Sequence, residues 1–253
     1  MLLTRPIHSA AFLKAHGLGV EVHTDRPVPE ELLPFVFGVH LPYTGLNLAA
    51  LDETLRRRSI QELEDSLLAG SRFHVDRVVI HSCGIETDDG VRVGDYENLI
   101  RSFRELAEFS AKHGIILCIE NQVARRKRRR FGDRPAEWLA LPGDIDRENV
   151  MLTLDSSHAA TSAALFENYA DRLGCLDEFF RRPELIGRIH WSDARLKNRE
   201  ALYCDMHLVP GKGDLPLEFH RRIHRLEVVK LLEQKCTESE VLEGLDFIAA
   251  LDD

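Results

Sequence analysis

The chain has 253 residues, 44% of them apolar, enough to bury a large core, and its 33 basic and 42 acidic side chains leave a net charge of −9 at pH 7. That balance excludes bulk electrostatic attraction to nucleic acid or anionic lipid, while a local basic patch remains open. The cysteines (Cys83, Cys118, Cys175, Cys204, Cys236) show no CxxC spacing and read as the reduced thiols of a cytoplasmic protein, and neither a leader-like start nor an apolar run near ~18 residues predicts export or a membrane span.

In chain order, short runs rich in Val, Ile and Leu alternate with longer helical patterns. A weak first strand, "MLLTR", is followed by "LGVEVH" (18–23), "FVFGVHLPY" (35–43), "VDRVVIH" (75–81), "GIILCIEN" (114–121), "NVMLTLD" (149–155), "LIGRIHWSD" (185–193) and "VVKLLEQ" (228–234). Each lacks strict alternation and reads as a buried parallel strand. Amphipathic stretches lie between them, as at 50–69 and 96–113, the second placing Leu99, Ile100, Phe103, Leu106 and Phe109 at helical spacing. About eight strand–helix units in a chain of this length predict an α/β fold, a (β/α)8 TIM barrel forming a single domain over 1–253. An open dinucleotide-binding sheet is disfavoured, because no GxGxxG follows the first strand.

In such a barrel the chemistry sits where strands end and βα loops begin. The runs end in metal-ligand types: His40, His81, Glu120, Asp155 with His158 behind it, His190 with Asp193 following, and Glu233, while the loop "CDMHLVPGKGDLP" adds Asp205 and His207. Singly, a histidine at a strand end is more often a hydrogen-bonded structural residue than a ligand, and a carboxylate there is often a helix cap. Together, carboxylates and imidazoles on one rim are hard to keep ionised and neutral respectively unless cations bind them, so the set predicts divalent metal.

The segments "IEN", "LDSSHA", "RIHWSDA", "DMHLVPGKG" and the late "LLE" resemble, in order along almost the whole chain, the xylose isomerase-like barrels and within them the endonuclease IV branch, the family 2 AP endonucleases. "IEN" and DxxH are common to the superfamily; DxHxxxGxG with a histidine ending "VVIH" is more specific to the three-metal branch. The resemblance implies two or three Zn2+ per chain: His40 and His81 on a first, Glu120 bridging it to a second completed by Asp155, His190 and Glu233, and His158, Asp205 and His207 on a third. It implies Glu120, Glu233 and His158 as catalytic residues and, as the reaction, phosphodiester hydrolysis of DNA at abasic sites. Tyr43, three residues after His40, is similar to the aromatic that helps open the duplex in those enzymes. Asp193 and the basic loop "ARRKRRR" (124–130), with Arg125, Arg126, Lys127 and Arg128, are the other expected substrate contacts, the loop lying on the catalytic rim where phosphates bind. The segment 24–34 is too short for the DNA-contacting loop and helix placed after the second strand in that branch.

Two other readings stand beside this one. In a sugar or sugar-phosphate isomerase or epimerase, Glu120, Asp155, His190 and Glu233 hold one Mn2+ or Mg2+ and the two glutamates move a proton next to a carbonyl. The partner is then a small phosphorylated sugar in place of abasic DNA, and His81, Asp205 and His207 have no assigned task. The remaining reading is a non-catalytic barrel that binds a ligand or partner. Oligomeric state has no signature in the sequence.

Overall fold

The computed structural model describes residues 1–4, 8–234 and 237–252. Eight parallel strands close into a barrel: β1 (Leu2–Thr4), β2 (Gly19–His23), β3 (Val36–His40), β4 (Arg77–His81), β5 (Ile116–Glu120), β6 (Val150–Asp155), β7 (Ile186–Trp191) and β8 (Val229–Leu232), each paired with its sequence neighbours and β8 with β1. The predicted (β/α)8 barrel is therefore the observed fold. Helices α1 (Ala10–Ala15), α2 (Glu53–Ser71), α3 (Tyr96–Ala111), α4 (Pro135–Ile145), α5 (Ser156–Ala163), α6 (Tyr169–Glu178), α7 (Leu217–Arg225) and α8 (Glu238–Ala249) follow the strands, α5 and α6 both between β6 and β7, and a 3-10 helix, Glu30–Phe35, leads from β2 into β3. Among the described residues no helix is long and apolar enough to cross a membrane. Cys83, Cys118 and Cys175 are buried free thiols and Cys204 an exposed one; Cys236 lies outside the described residues.

The elements are shorter than the apolar runs for local reasons. β3 stops at His40 because Pro42 has no N–H for a ladder. Helix α2 starts at Glu53, not at residue 50, because the Asp52 carboxylate accepts from the Thr54 and Leu55 amides and fixes the helix end. In α3, Leu99, Ile100, Phe103 and Leu106 are buried as the spacing predicts, with Phe109 partly buried against the same core.

The barrel interior is not wholly apolar. Glu21 of β2 and Arg188 of β7 are both buried and lie 3.1 Å apart, and Arg188 also donates to the carbonyls of Phe37 and Arg77. Room for this pair comes from Gly38, where a Cβ would stand 2.8 Å from Glu21 Oε2 and 2.9 Å from Arg188 Nη1.

The basic run departs most from expectation. Arg128–Arg130 is not a loop but a strand, paired antiparallel with Ile85–Asp88, which turns through Asp89 and Gly90 into Val91–Arg92. This three-stranded sheet sits beside the strand ends. Arg128 makes a bidentate pair with Asp88, and Arg129 meets Glu86, Asp133 and Glu137. Arg125, Arg126 and Lys127 are the exposed part of the run. The sheet thus gives Arg128, expected as a phosphate contact, a carboxylate partner in Asp88 that competes for its guanidinium.

Replacing Arg188 with Met strands the Glu21 carboxylate in the interior and is expected to cost about 3–5 kcal/mol in denaturant unfolding. Adding Glu21→Gln to that variant should recover part of the loss; no recovery would mean that the damage is packing and not charge.

Candidate metal centre

Register brings the donors together in facing pairs. Across neighbouring strands His81 lies opposite Glu120 and His190 opposite Asp155, while His40 is level with Val79 and Glu120 with Thr153, so the donors gather at the C-terminal ends of the strands with a two-residue stagger between pairs. Glu120 is the hub. Its Oε2 is 2.9 Å from His81 Nε2 and 3.2 Å from His40 Nε2, while its Oε1 is 3.0 Å from His190 Nδ1 and 3.6 Å from His158 Nδ1. Glu233, just past β8, places Oε2 2.8 Å from His190 Nδ1. On the far side Asp205 Oδ2 is 2.8 Å from His207 Nε2 and 3.3 Å from His158 Nε2.

Three groups have donor atoms within 4.8 Å of one another: His40, His81 and Glu120; Glu120, Asp155, His190 and Glu233; and Asp155, His158 and His207. The fit to cations rests on atoms left over. Asp155 Oδ1 accepts from the His158 amide and caps α5, but its Oδ2 is buried without a hydrogen-bond partner among the described residues, as are His81 Nδ1 and His207 Nδ1. A buried lone pair without a donor is costly, and a divalent ion is the species that relieves several at once. The residues therefore fit divalent metal ions.

Backbone carbonyls set the imidazoles. His40 Nδ1 lies 2.7 Å from the Leu41 carbonyl and His158 Nδ1 2.7 Å from that of Asn121, so donation there aims each Nε2 at the site, where it donates to a carboxylate while protonated and offers a lone pair to an ion once the proton is lost. Sequence reasoning missed the residues behind the donors. Glu21 Oε1 stands 3.1 Å from His190 Nε2; its signal was a charged residue within an apolar strand run. Asn121 spans β5 and β6 by accepting from the Asp155 amide and donating to its carbonyl. Ser157 donates to Asp205 Oδ1 and accepts from the amides of Met206 and His207, shaping the loop that delivers both. His23 stacks on His40 with ring centroids 4.6 Å apart, and Tyr43 stacks on His81 at 4.3 Å. These rings, with His158, His207 and Glu233, line a cavity of about 550 Å³ above the donors.

Asp193 does not reach this cavity. Its Oδ2 accepts from the amides of Gly211 and Gly213 and its Oδ1 from those of Ala194 and Leu215, so the predicted substrate contact is instead the anchor of the "VPGKG" loop. Gly213 is required there because a Cβ would fall 2.3 Å from Asp193 Oδ1.

The electrostatics follow from crowding. Burial pushes the Asp155 carboxyl up to about 8, with Glu233 and Glu120 adding repulsion against the pull of His158 and His207. Burial disfavours the charged form of His158, but Asp155 and Asp205 outweigh it and hold the imidazole well above its ordinary value; Glu233 and Asp155 do the same for His207, raised to about 9. Burial likewise opposes ionisation of Glu120, yet His190 and His81 hold it well below the carboxylate range. In His23 burial prevails and lowers the imidazole to about 4.

A model of the xylose isomerase-like TIM barrel matches residues 12–251. The chain belongs to that family. The uncharacterized protein MJ1311 of Methanocaldococcus jannaschii is 27% identical over 182 residues, 70% of this chain and 56% of the relative, so the match spans little more than half of that protein's length. A D-tagatose 3-epimerase-like protein superposes with a TM-score of 0.71 at 18% identity, covering 92% of this chain and 87% of the other. Endonuclease IV from Thermus thermophilus superposes with a TM-score of 0.68 at 19% identity, covering 99% of this chain and 97% of the other. At these identities the likeness is one of fold.

Because ligation needs unprotonated imidazole and carboxylate, zinc uptake by the ion-free protein at pH 7 should expel protons held by His158, His190, His207 and Asp155. Apparent affinity should therefore rise with pH through the range in which His207, raised to about 9, gives up its proton. Calorimetry in buffers of different ionisation enthalpy reads the number released, and a value of zero would contradict the charge assignment.

Proposed function

We propose that the chain is a divalent-metal-dependent phosphodiester hydrolase of the endonuclease IV kind. One observation carries the reading. Beyond Glu120, Asp155, His190 and Glu233, which suffice for a single ion, the rim brings His40, His81, His158, Asp205 and His207 into the same constellation. Two or three divalent ions there would supply Lewis-acid stabilisation of charge on phosphoryl oxygens and acidify water.

The chain's own residues give that chemistry its frame. Glu120 is held by imidazoles on both oxygens and so cannot swing away from the reacting centre. Glu233 and His207, both at the cavity wall, are placed to hold and move protons. Tyr43 stands at the mouth, 40% exposed, where it can stack on a substrate ring. If the phosphodiester is that of an abasic duplex, Arg125, Arg126 and Lys127 are the side chains left to follow its backbone.

A second reading, a one-ion sugar or sugar-phosphate epimerase, is favoured by the commitment of Arg128 and Arg129 to ion pairs and by the short segment between β2 and β3. Both leave little surface for a duplex. Elemental analysis separates the two: two or three ions per chain support the hydrolase, whereas one ion together with epimerisation of a ketose or its phosphate supports the alternative.

Within the hydrolase reading, His207→Ala should lower incision of an abasic duplex by about 10²–10⁴ while the fold is retained. Full turnover in that variant would remove the third group of donors from the reaction.

If the substrate is an abasic duplex, its binding should show a logarithmic salt slope of about −3, as three neutralised phosphates require. The triple replacement of Arg125, Arg126 and Lys127 with Gln should flatten it toward zero. An unchanged slope would exclude this basic segment as the DNA contact.

A further inference from the structure

A second cavity of about 720 Å³ opens beside the metal centre, between the segment after β3 and the small three-stranded sheet. Its floor is apolar, built from Leu46, Ala50, Leu55, Ile85 and Val93. Tyr43, His81 and Arg130 line both cavities, so the stacked Tyr43–His81 rings form a flat partition between them. Volume and lining suit a small organic group and not a single ion or water cluster.

The cations around this cavity are unequal. Side chains alternate along Arg128–Arg130, so Arg128 and Arg130 face the cavity while Arg129 turns to Asp133 and Glu137. Arg128 is neutralised by Asp88, and Arg92, also in the lining, by Asp95. Arg130 makes no ion pair among the described residues: its Nη1 has a 3.4 Å contact with Gln122 Oε1, and its Nε is buried without a hydrogen-bond partner. A half-buried guanidinium placed where the two cavities meet is a receptor for an anion.

We infer that the substrate is a small organic phosphate ester bearing an aromatic ring, its ring in the side cavity against the Tyr43–His81 partition and a non-reacting phosphoryl oxygen on Arg130. The assignment rests on the phosphoester reading of the metal centre and narrows it. Duplex DNA is a poor match, because its bases are stacked away from such a cavity. A bare sugar phosphate leaves the apolar floor unfilled, whereas an aryl or nucleoside-like ester fills both. A short link from anion to ring matches a guanidinium that lines both spaces.

Binding, not turnover, tests this. Zinc-loaded protein is titrated calorimetrically with phenylphosphonate and with methylphosphonate, neither of which is hydrolysed. Phenylphosphonate should bind about ten- to a hundred-fold tighter, the gain expected from burying one aromatic ring. Leu55→Trp, and independently Ile85→Trp from the facing wall, should abolish that preference while methylphosphonate affinity holds. Arg130→Gln should weaken both ligands about ten-fold or more, and Arg128→Gln neither. Equal affinities in the wild type, or a preference that survives both tryptophans, would overturn the ring site; an Arg130→Gln protein that binds both ligands normally would overturn the anion contact. The outcome is separable from the hydrolase reading: ring preference without any phosphodiesterase activity keeps this site and sinks that reading, and hydrolysis without ring preference does the reverse.

Discussion

The arrangement depends on one buried carboxylate. Glu120 is 1% exposed at the end of a barrel strand, and an ionised carboxylate survives there only because imidazoles from β3, β4, β7 and α5 approach both of its oxygens. Two of these imidazoles are in turn claimed by other acids: His190 by Glu233 and Glu21, His158 by Asp205. Removing any one charge leaves its partners uncompensated in a low-dielectric space. The rim therefore behaves as one electrostatic unit, and it is short of positive charge at Asp155, whose Oδ2 has no donor.

Behind that rim a second set of polar residues faces away from the cavity. Asn121 ties β5 to β6, Ser157 shapes the loop carrying Asp205 and His207, and Asp193 gathers four amides to hold the following turn. Carbonyls of Leu41 and Asn121 orient two of the imidazoles. Their common effect is to fix rotamers and tautomers before any ligand arrives, which is how a site of this kind avoids reorganisation during reaction.

The small sheet beside the barrel changes what the basic run means. Six consecutive cations would repel one another in a solvated loop; with Asp88 and Glu86 supplied by the hairpin, and Asp133 and Glu137 by the start of α4, the end of the run becomes a strand. Period-two alternation then sorts its members. Arg129 is structural, Arg128 is neutralised, and Arg130 is left where the two cavities meet. A run that reads as a nucleic-acid patch by composition is, after pairing, partly a scaffold.

The sequence by itself determined the barrel and the positions of the metal-ligand types, because both are local signals. Buried parallel strands are continuous apolar runs, and in a barrel the residue that closes each run lies on the functional rim, so His40, His81, Glu120, Asp155 and His190 could be placed without coordinates. It also contained, unread, the Asp89–Gly90 turn of the hairpin and the lone Glu21 within an apolar strand. Only the tertiary structure decided the rest. Whether Asp193 meets a substrate or a glycine loop and whether Arg128 meets phosphate or Asp88 depend on partners 18 to 40 residues away along the chain, and which guanidinium stays unpaired depends on how the small sheet pairs. A charge in a sequence has a sign but no neighbour, and at a buried site it is the neighbour that sets what the charge does.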